Sequence, residues 1–200
     1  VFDRIRALQP YQLSDELEKF LHELGIVGDA WEKLFDETIS GLEFSIGDEL
    51  LNLESTLNLL TDHDRSKREM GANELSKVFS KNIKIFSRIH NTQAKEKEII
   101  DQWRGMPSPQ FGRHLSNQVE PEVVEALRNA VVASYPKLSH RYYQLKREWM
   151  GLEYLEIWDR NAPLPMESNQ TITWTDATKL VLDAYSGFDS RMAELAEPFF

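Results

Sequence analysis

Residues 137–165 read KLSHRYYQLKREWMGLEYLEIWDRNAPLP, and this stretch is the most informative part of the chain. At about 100° per residue, its apolar side chains share one helix face, spaced four, three, four and three: Leu138, Tyr142, Leu145, Trp149 and Leu152. The pattern predicts a helix that packs through this face. Pro163 and Pro165 cannot continue a helix, so we expect a rigid, extended exit.

The opposite side of the same predicted helix carries His140, Tyr143 and Arg147. Aromatic and cationic groups together are typical of surfaces that bind peptides. The same groups also serve as structural hydrogen-bonding partners inside a fold. Both interpretations stay open from the residues alone: the three side chains line a peptide-binding wall, or they support the packing.

The composition indicates a folded protein and excludes several classes of function. The 200 residues are 41% hydrophobic, enough for one substantial domain, and the net charge of −10 argues against nucleic-acid binding. No apolar run approaches the ~20 residues that span a bilayer, and the first residues lack a signal-peptide core. The absence of cysteine excludes disulfides and fits a reducing compartment. We therefore expect a cytoplasmic protein without membrane contact.

The first hundred residues predict helices joined by turns. We expect a short helix from Ser14 to Leu24, a turn over residues 25–29, and a second helix from Ala30. An apolar seam at helical spacing follows: Ile46, Leu50, Leu53, Leu57 and Leu60. A long amphipathic helix then runs from about Ser66 to Gln102.

The second half continues the helical pattern. A loop over 105–112 and a polar stretch to Gln118 precede a helix from Pro121 to Ser134, which has four buried positions: Val123, Val124, Leu127 and Val131. Residues 166–173 are expected to be irregular, Ile172-Thr173-Trp174 hints at a strand, and two short helices close the chain, the last capped by Ser190. We predict an all-α fold of long antiparallel helices in a layer or bundle, without a β-hairpin.

Two short segments contain residue types that bind metals. His22-Glu23-Leu24-Gly25-Ile26 begins like the helical zinc motif, but Ile26 stands where the second histidine belongs. Asp62-His63-Asp64 gathers three ligand types in a polar turn, where adjacent side chains diverge. Both segments favour a solvated surface, and the residues themselves indicate no catalytic or metal-binding site.

A row of cations, Lys77, Lys81, Lys84 and Arg88, lies along the long helix opposite its apolar arc. A solvated helix face is the simple interpretation of this row. The alternative is a surface that binds anions or peptide carboxylates. On that alternative, the chain is a non-catalytic helical module for protein interactions.

Three motifs give the chain a family resemblance: residues 140–146 (HRYYQLK), 151–155 (GLEYL) and 158–164 (WDRNAPL). Together they resemble oligoendopeptidase F, in the thimet-oligopeptidase-like clan of zinc metallopeptidases. Residues 172–174, 181–185 and 192–196 look like the same family's next segment. The resemblance is specific from about Lys137 to the end, looser from Leu50 to Ser134, and merely compatible before that.

The resemblance implies a mostly helical enzyme that hydrolyses short peptides with zinc-activated water inside a deep channel. The family's zinc-binding His-Glu-x-x-His helix has no matching position here, so we expect no zinc bound by these residues. We therefore expect an N-terminal portion, inactive alone, whose partner is a missing C-terminal catalytic half. Residues 1–165 would form an N-terminal helical domain and 166–200 the start of the catalytic part. His140, Tyr143 and Arg147 would line one wall of the channel.

Overall fold

The computed structural model describes residues 6–165 and 171–200. The chain divides into two compact units, and the boundary falls between Leu164 and Pro165. The irregular segment predicted for residues 166–173 falls mostly outside the described residues. The assignment of residues 166–200 to a following catalytic part stays a prediction.

The described residues are mostly helical, which confirms the predicted all-α class. The first unit contains α1 (Asp15–Ser40), β1 (Phe44–Ile46), β2 (Glu49–Leu51), α2 (Leu53–Asn58), α3 (Arg65–Arg104), α4 (Phe111–Asn117), α5 (Pro121–Ser134) and α6 (Ser139–Trp149). Short 3-10 turns cover Gln9–Tyr11, Leu59–Thr61 and Ile157–Asp159. The second unit contains α7 (Trp174–Phe188), α8 (Ser190–Ala196) and a 3-10 turn, Glu197–Phe199.

Two long helices, α1 and α3, form the scaffold of the first unit. Both guanidinium Nη atoms of Arg104, at the end of α3, donate to Glu18 in the first turn of α1, over 2.6 and 2.8 Å. Farther along, the rings of Phe35 and Phe86 lie 5.8 Å apart. Because the start of one helix meets the end of the other, the pair is antiparallel, as predicted for the long helices.

The small core lies where the hairpin β1–β2 and α2 pack against the first half of α3. Phe44 is completely buried between Leu75 and Val78, and partly buried side chains surround this trio: Leu42, Leu53, Leu60 and Phe79. Gly71 permits the close approach of α2 and of the 3-10 turn after it, since a Cβ at this position would lie 3.3 Å from the carbonyl oxygen of Thr56 and 3.0 Å from the Cβ of Leu59. The site of tightest packing is therefore the start of α3.

The turn predicted over residues 25–29 is wrong. Helix α1 continues through Gly25 and Gly28 as one element from Asp15 to Ser40. A glycine costs about 1 kcal/mol in a helix interior, and packing along a long partner helix offsets a cost of that size. The break occurs instead at Gly41, where α1 ends.

The helical seam predicted from Ile46 to Leu60 is also wrong in its first half, as is the absence of a hairpin. Ile46 and Leu50 lie on the antiparallel strands β1 and β2, with Ile46 paired to Glu49. The connecting residues are Gly47 and Asp48, and Gly47 has φ of 62°, a conformation that favours glycine. The four-three spacing of apolar residues therefore came from a hairpin followed by a short helix.

Helices α5 and α6 form where the sequence predicts them, but their apolar faces are not buried. On α5, Val123, Leu127 and Val131 are exposed, Leu127 to 64%. On α6, Leu138, Tyr142 and Trp149 are exposed, Leu138 to 67%. The other predicted positions, Val124, Leu145 and Leu152, are half-buried, so the predicted packing faces are only partly covered within the first unit.

Three local expectations need smaller corrections. The polar stretch before Gln118 forms the short helix α4 rather than a loop. Trp174 begins α7 instead of a strand, and the Thr173 hydroxyl caps that helix by accepting from the backbone N–H of Asp176 over 3.2 Å. The last helix is capped by Asp189, one residue before the predicted Ser190.

Candidate functional site

The three side chains predicted to line a channel lie along one side of α6. His140 is exposed, and its ring lies 6.2 Å from that of Tyr135. Tyr143 is half-buried against Tyr142, with 5.3 Å between the ring centres. The Arg147 side chain is 43% exposed and lies 3.7 Å from the carboxylate of Glu148. The three residues share a helix face at spacings of three and four, but they do not converge on one pocket.

Of the three, Tyr143 lines a concave surface. With Leu155, Glu156, Ile157 and Arg160 it forms a shallow pocket of about 370 Å³ between α6 and the segment that follows. Carboxylate, guanidinium and phenol groups therefore border an apolar floor. This arrangement suits contact with a peptide, though its depth does not enclose a small molecule.

The segment after α6 is held by a buried carboxylate, Asp159, that sequence reasoning did not single out. Asp159 is completely buried. It accepts from Nε and Nη2 of Arg65 over 3.1 and 2.9 Å, and from Nη2 of the buried Arg68 over 2.8 Å. The backbone N–H of Glu156 donates to it over 3.0 Å. One carboxylate thus ties the 3-10 turn at Ile157–Asp159 to the first turn of α3.

These ion pairs set the charge state of Asp159. Burial alone would raise the pKa of its carboxyl group, but the hydrogen bonds from Arg65, Arg68 and the Glu156 backbone outweigh burial and lower the pKa from 3.8 to about 2. Asp159 is therefore ionised at neutral pH. Its carboxylate oxygens are engaged by structural hydrogen bonds, which makes Asp159 unsuited to general acid–base catalysis.

A second buried group, Lys146, binds the part of the segment that directly follows Asp159. Its ammonium group donates to the backbone carbonyl oxygens of Arg160 and Ala162, over 2.9 and 2.6 Å, and its side chain is almost fully buried. Helix α6 therefore packs through the side that carries Lys146 and Tyr143. This orientation explains why the apolar face predicted to pack, with Leu138 and Trp149, is exposed.

The sequence contains a weak signal for this arrangement. Asp159 and Lys146 belong to the motifs that carry the family resemblance, but a buried charge and a surface charge look identical in a single sequence. The partners of Asp159, Arg65 and Arg68, lie more than ninety residues away in sequence. Only the folded geometry brings these three side chains together.

The two segments that contain metal-binding residue types, 22–26 and 62–64, lie on polar surface. His22 and Glu23 are exposed on α1. In the turn before α3, Asp62 accepts from the backbone of Asp64, and Asp64 caps α3 by accepting from Ser66 over 2.9 Å. Across residues 6–165 and 171–200, no group of three or more histidine, aspartate or glutamate side chains is placed to hold a metal ion.

The predicted row of cations divides into two parts. Lys77 pairs with Glu74 over 2.7 Å, next to the hairpin. Lys84 and Arg88 instead border a large groove between α1 and α3. All four side chains of the row are exposed, as expected for a solvated face, and two of them also border the groove.

Known proteins share sequence and fold with this chain. A family model described as Oligopeptidase F matches residues 1–44. The chain is 24% identical over 185 residues to Group B oligopeptidase PepB of Streptococcus agalactiae serotype III, and this match covers 89% of the chain and 30% of the relative. The crystal structure of oligoendopeptidase-F from Enterococcus faecium superposes with a TM-score of 0.72 at 25% identity, covering 92% of this chain and 35% of that one.

The resemblance to oligoendopeptidase F is confirmed. The family model matches the first 44 residues, where the motif-based resemblance was least specific, so the two lines of comparison complement each other. The oligoendopeptidase F-like chain spans about 30% of the length of the curated relative that it matches. Among the described residues, no helix is both long and apolar enough to cross a membrane. Cytoplasmic localisation stays a prediction.

Replacement of Asp159 by Asn is expected to destabilise the first unit by about 3–5 kcal/mol at pH 7, because it leaves the buried Arg68 without its counter-charge. The pKa of Asp159 is lower in the folded state than in the unfolded state, so its ionisation stabilises the folded state. This stabilisation is fully present above pH 3.8 and is lost as the pH falls toward about 2. Urea unfolding of both proteins at a series of pH values measures the difference, which should shrink in that acidic range.

Glu125→Gln is the matched control, since it removes an exposed carboxylate paired with Arg128 on α5. We expect no measurable change in stability from this control, because exposed pairs contribute little. Equal losses from the two variants, or a difference that stays constant down to pH 2, would contradict the assigned role of Asp159.

Proposed function

We propose that residues 1–165 form the N-terminal helical domain of a zinc-dependent oligoendopeptidase, and that residues 166–200 begin its catalytic part. The relatives named above are an oligopeptidase and an oligoendopeptidase-F, and both are about three times as long as the match. The fold, the motifs at 140–164 and the family-model match support the assignment. The intact enzyme would cleave short peptides.

The observation that carries this proposal is the pair of uncovered apolar faces on α5 and α6. Helix α5 has Val123, Leu127 and Val131 on one exposed face, at a spacing of four. A helix of about 14 residues is marginal in water by itself and depends on burial of such a face. We infer that the catalytic half covers these faces and that the channel runs beside them.

Zinc, when bound in the intact enzyme, would polarise the scissile carbonyl and activate a water molecule. The described residues offer no group of ligands that fits this ion. We therefore assign no catalytic step to them. Their role in the proposal is to bind and orient the peptide, with His140, Tyr143 and Arg147 along one wall.

An alternative function is a non-catalytic helical interaction module. The specific observation in its favour is the open groove between α1 and α3, which is bordered by Lys84 and Arg88. A peptidase and a binding module differ in one simple property, the hydrolysis of added peptide.

The intact protein is expected to cleave an internally quenched fluorescent peptide of about ten residues and to leave folded proteins uncut. Incubation with a chelator should abolish the cleavage, and added Zn²⁺ should restore it, because the metal supplies the activated water. The measurement is the initial rate of fluorescence increase. Absence of cleavage with zinc present would reject the peptidase and leave the interaction module.

The channel wall has its own test in the intact enzyme. Arg147→Ala should raise KM for a short peptide about tenfold with little change in kcat, because it removes a charge-assisted contact made equally in the ground and transition states. Arg141→Ala is the matched control, since Arg141 lies on another side of α6 and is exposed. An equal, small effect of both substitutions would place Arg147 outside the wall.

A further inference from the structure

The antiparallel helices α1 and α3 leave a long groove open between them. They are joined at one end by Glu18 and Arg104 and toward the other by the rings of Phe35 and Phe86. Residues 21–31 of α1 and 83–100 of α3 line this groove. The resulting groove has a volume of about 990 Å³.

The floor of this groove is apolar. Leu21, Leu24, Val27 and Trp31 of α1 form one wall, and Ile83, Ile99 and Ile100 of α3 lie at the ends of the other. Within this set, Val27 is 50% and Ile83 is 57% exposed. Two helices that pack closely normally bury such positions, so this face lacks its covering element.

The α3 wall adds a strong local charge to the apolar floor. Between Glu74 and Glu96, α3 carries five cations and no acidic residue, in a chain whose net charge is −10. Three of these cations border the groove, Lys84, Arg88 and Lys95, and one carboxylate, Glu96, borders it near Gly28. Lys95 pairs with Glu98 over 2.7 Å, whereas Lys84 and Arg88 form no ion pair with any residue that the structure describes. The groove therefore offers free positive charge beside apolar surface.

We propose that this groove binds an amphipathic, acidic helix of a partner protein or peptide. Its apolar side chains would fill the floor between Val27 and Ile83, and its carboxylates would pair with Lys84 and Arg88. The stretch of α3 from Ile83 to Ile100 is about 26 Å long at 1.5 Å per residue, which matches several turns of helix. Anchors at every third and fourth position are the usual way in which a helix occupies such a groove.

Two other occupants fit the groove less well. A second copy bound symmetrically through the same face would set two grooves bordered by cations against each other, and like charges across an interface oppose association. A compact small molecule would leave much of the elongated floor uncovered. The binding surface belongs to this chain itself, so the inference does not depend on peptidase activity.

The test uses the intact protein and a fluorescein-labelled peptide of about 18 residues, helical, with leucines on one face and glutamates along its edge. Fluorescence anisotropy should show saturable binding that weakens as salt is raised, because the carboxylate contacts are partly exposed. A peptide of the same composition, scrambled so that the leucines no longer share a face, should bind at least about tenfold more weakly.

Arg88→Glu should weaken binding about tenfold, whereas Arg141→Glu, an equal charge change on α6, should change the affinity less than about twofold. Circular dichroism verifies that both variants are folded, and Lys84→Glu provides a second substitution in the groove. Equal binding of the scrambled peptide, equal effects of Arg88→Glu and Arg141→Glu, or no binding by the wild type would overturn the proposal. So would a concentration-dependent dimer in sedimentation that Arg88→Glu abolishes, since a second copy would then occupy the groove.

Discussion

The structure of the first unit depends on the buried carboxylate of Asp159 and the two guanidinium groups that bind it. A charge with no exposed surface is costly unless it is paired, and Arg65 and Arg68 supply three N–H donors in a fixed geometry. Through this contact, the segment after α6 is joined to the start of α3, beside the small core around Phe44. Lys146 then fixes α6 onto the same segment by binding the carbonyl oxygen atoms of Arg160 and Ala162. The orientation of α6, and with it the position of Tyr143, follows from these buried charges rather than from apolar packing.

The sequence predicts local elements well where one physical signal dominates. Pro121 sets the start of α5, and the amphipathic run from Ser66 predicts α3 almost to its ends. The prediction from sequence fails where a hairpin and a helix give the same spacing of apolar residues. The apolar residues from Ile46 to Leu60 repeat as in a helix, and only the pair Gly47-Asp48 indicates a hairpin. The buried charges are a different case, because the partners of Asp159 are distant in sequence and no local pattern distinguishes a buried aspartate from an exposed one.

Some of the residues that carry the family resemblance are not ones that the structure leaves available for binding. The motifs around Tyr143 and Asp159 carry the resemblance to oligoendopeptidase F, but in the structure Asp159 is fully engaged in structural contacts. Leu127 and Leu138 are largely exposed on α5 and α6, and under the proposed function the catalytic half would cover these faces. The groove between α1 and α3 differs from these faces, because free cations accompany its apolar floor. That combination favours a carboxylate-bearing partner over simple burial in a core.

A double-mutant cycle between Asp159→Asn and Arg65→Met tests the central claim most directly, because Arg65 is partly exposed and its replacement leaves the core intact. Free energies of unfolding in urea at pH 7 give the coupling between the two side chains. If Asp159 joins the segment after α6 to α3, the coupling should reach about 1–3 kcal/mol. A coupling within about 0.5 kcal/mol of zero would show that the two sites are independent and would contradict this account.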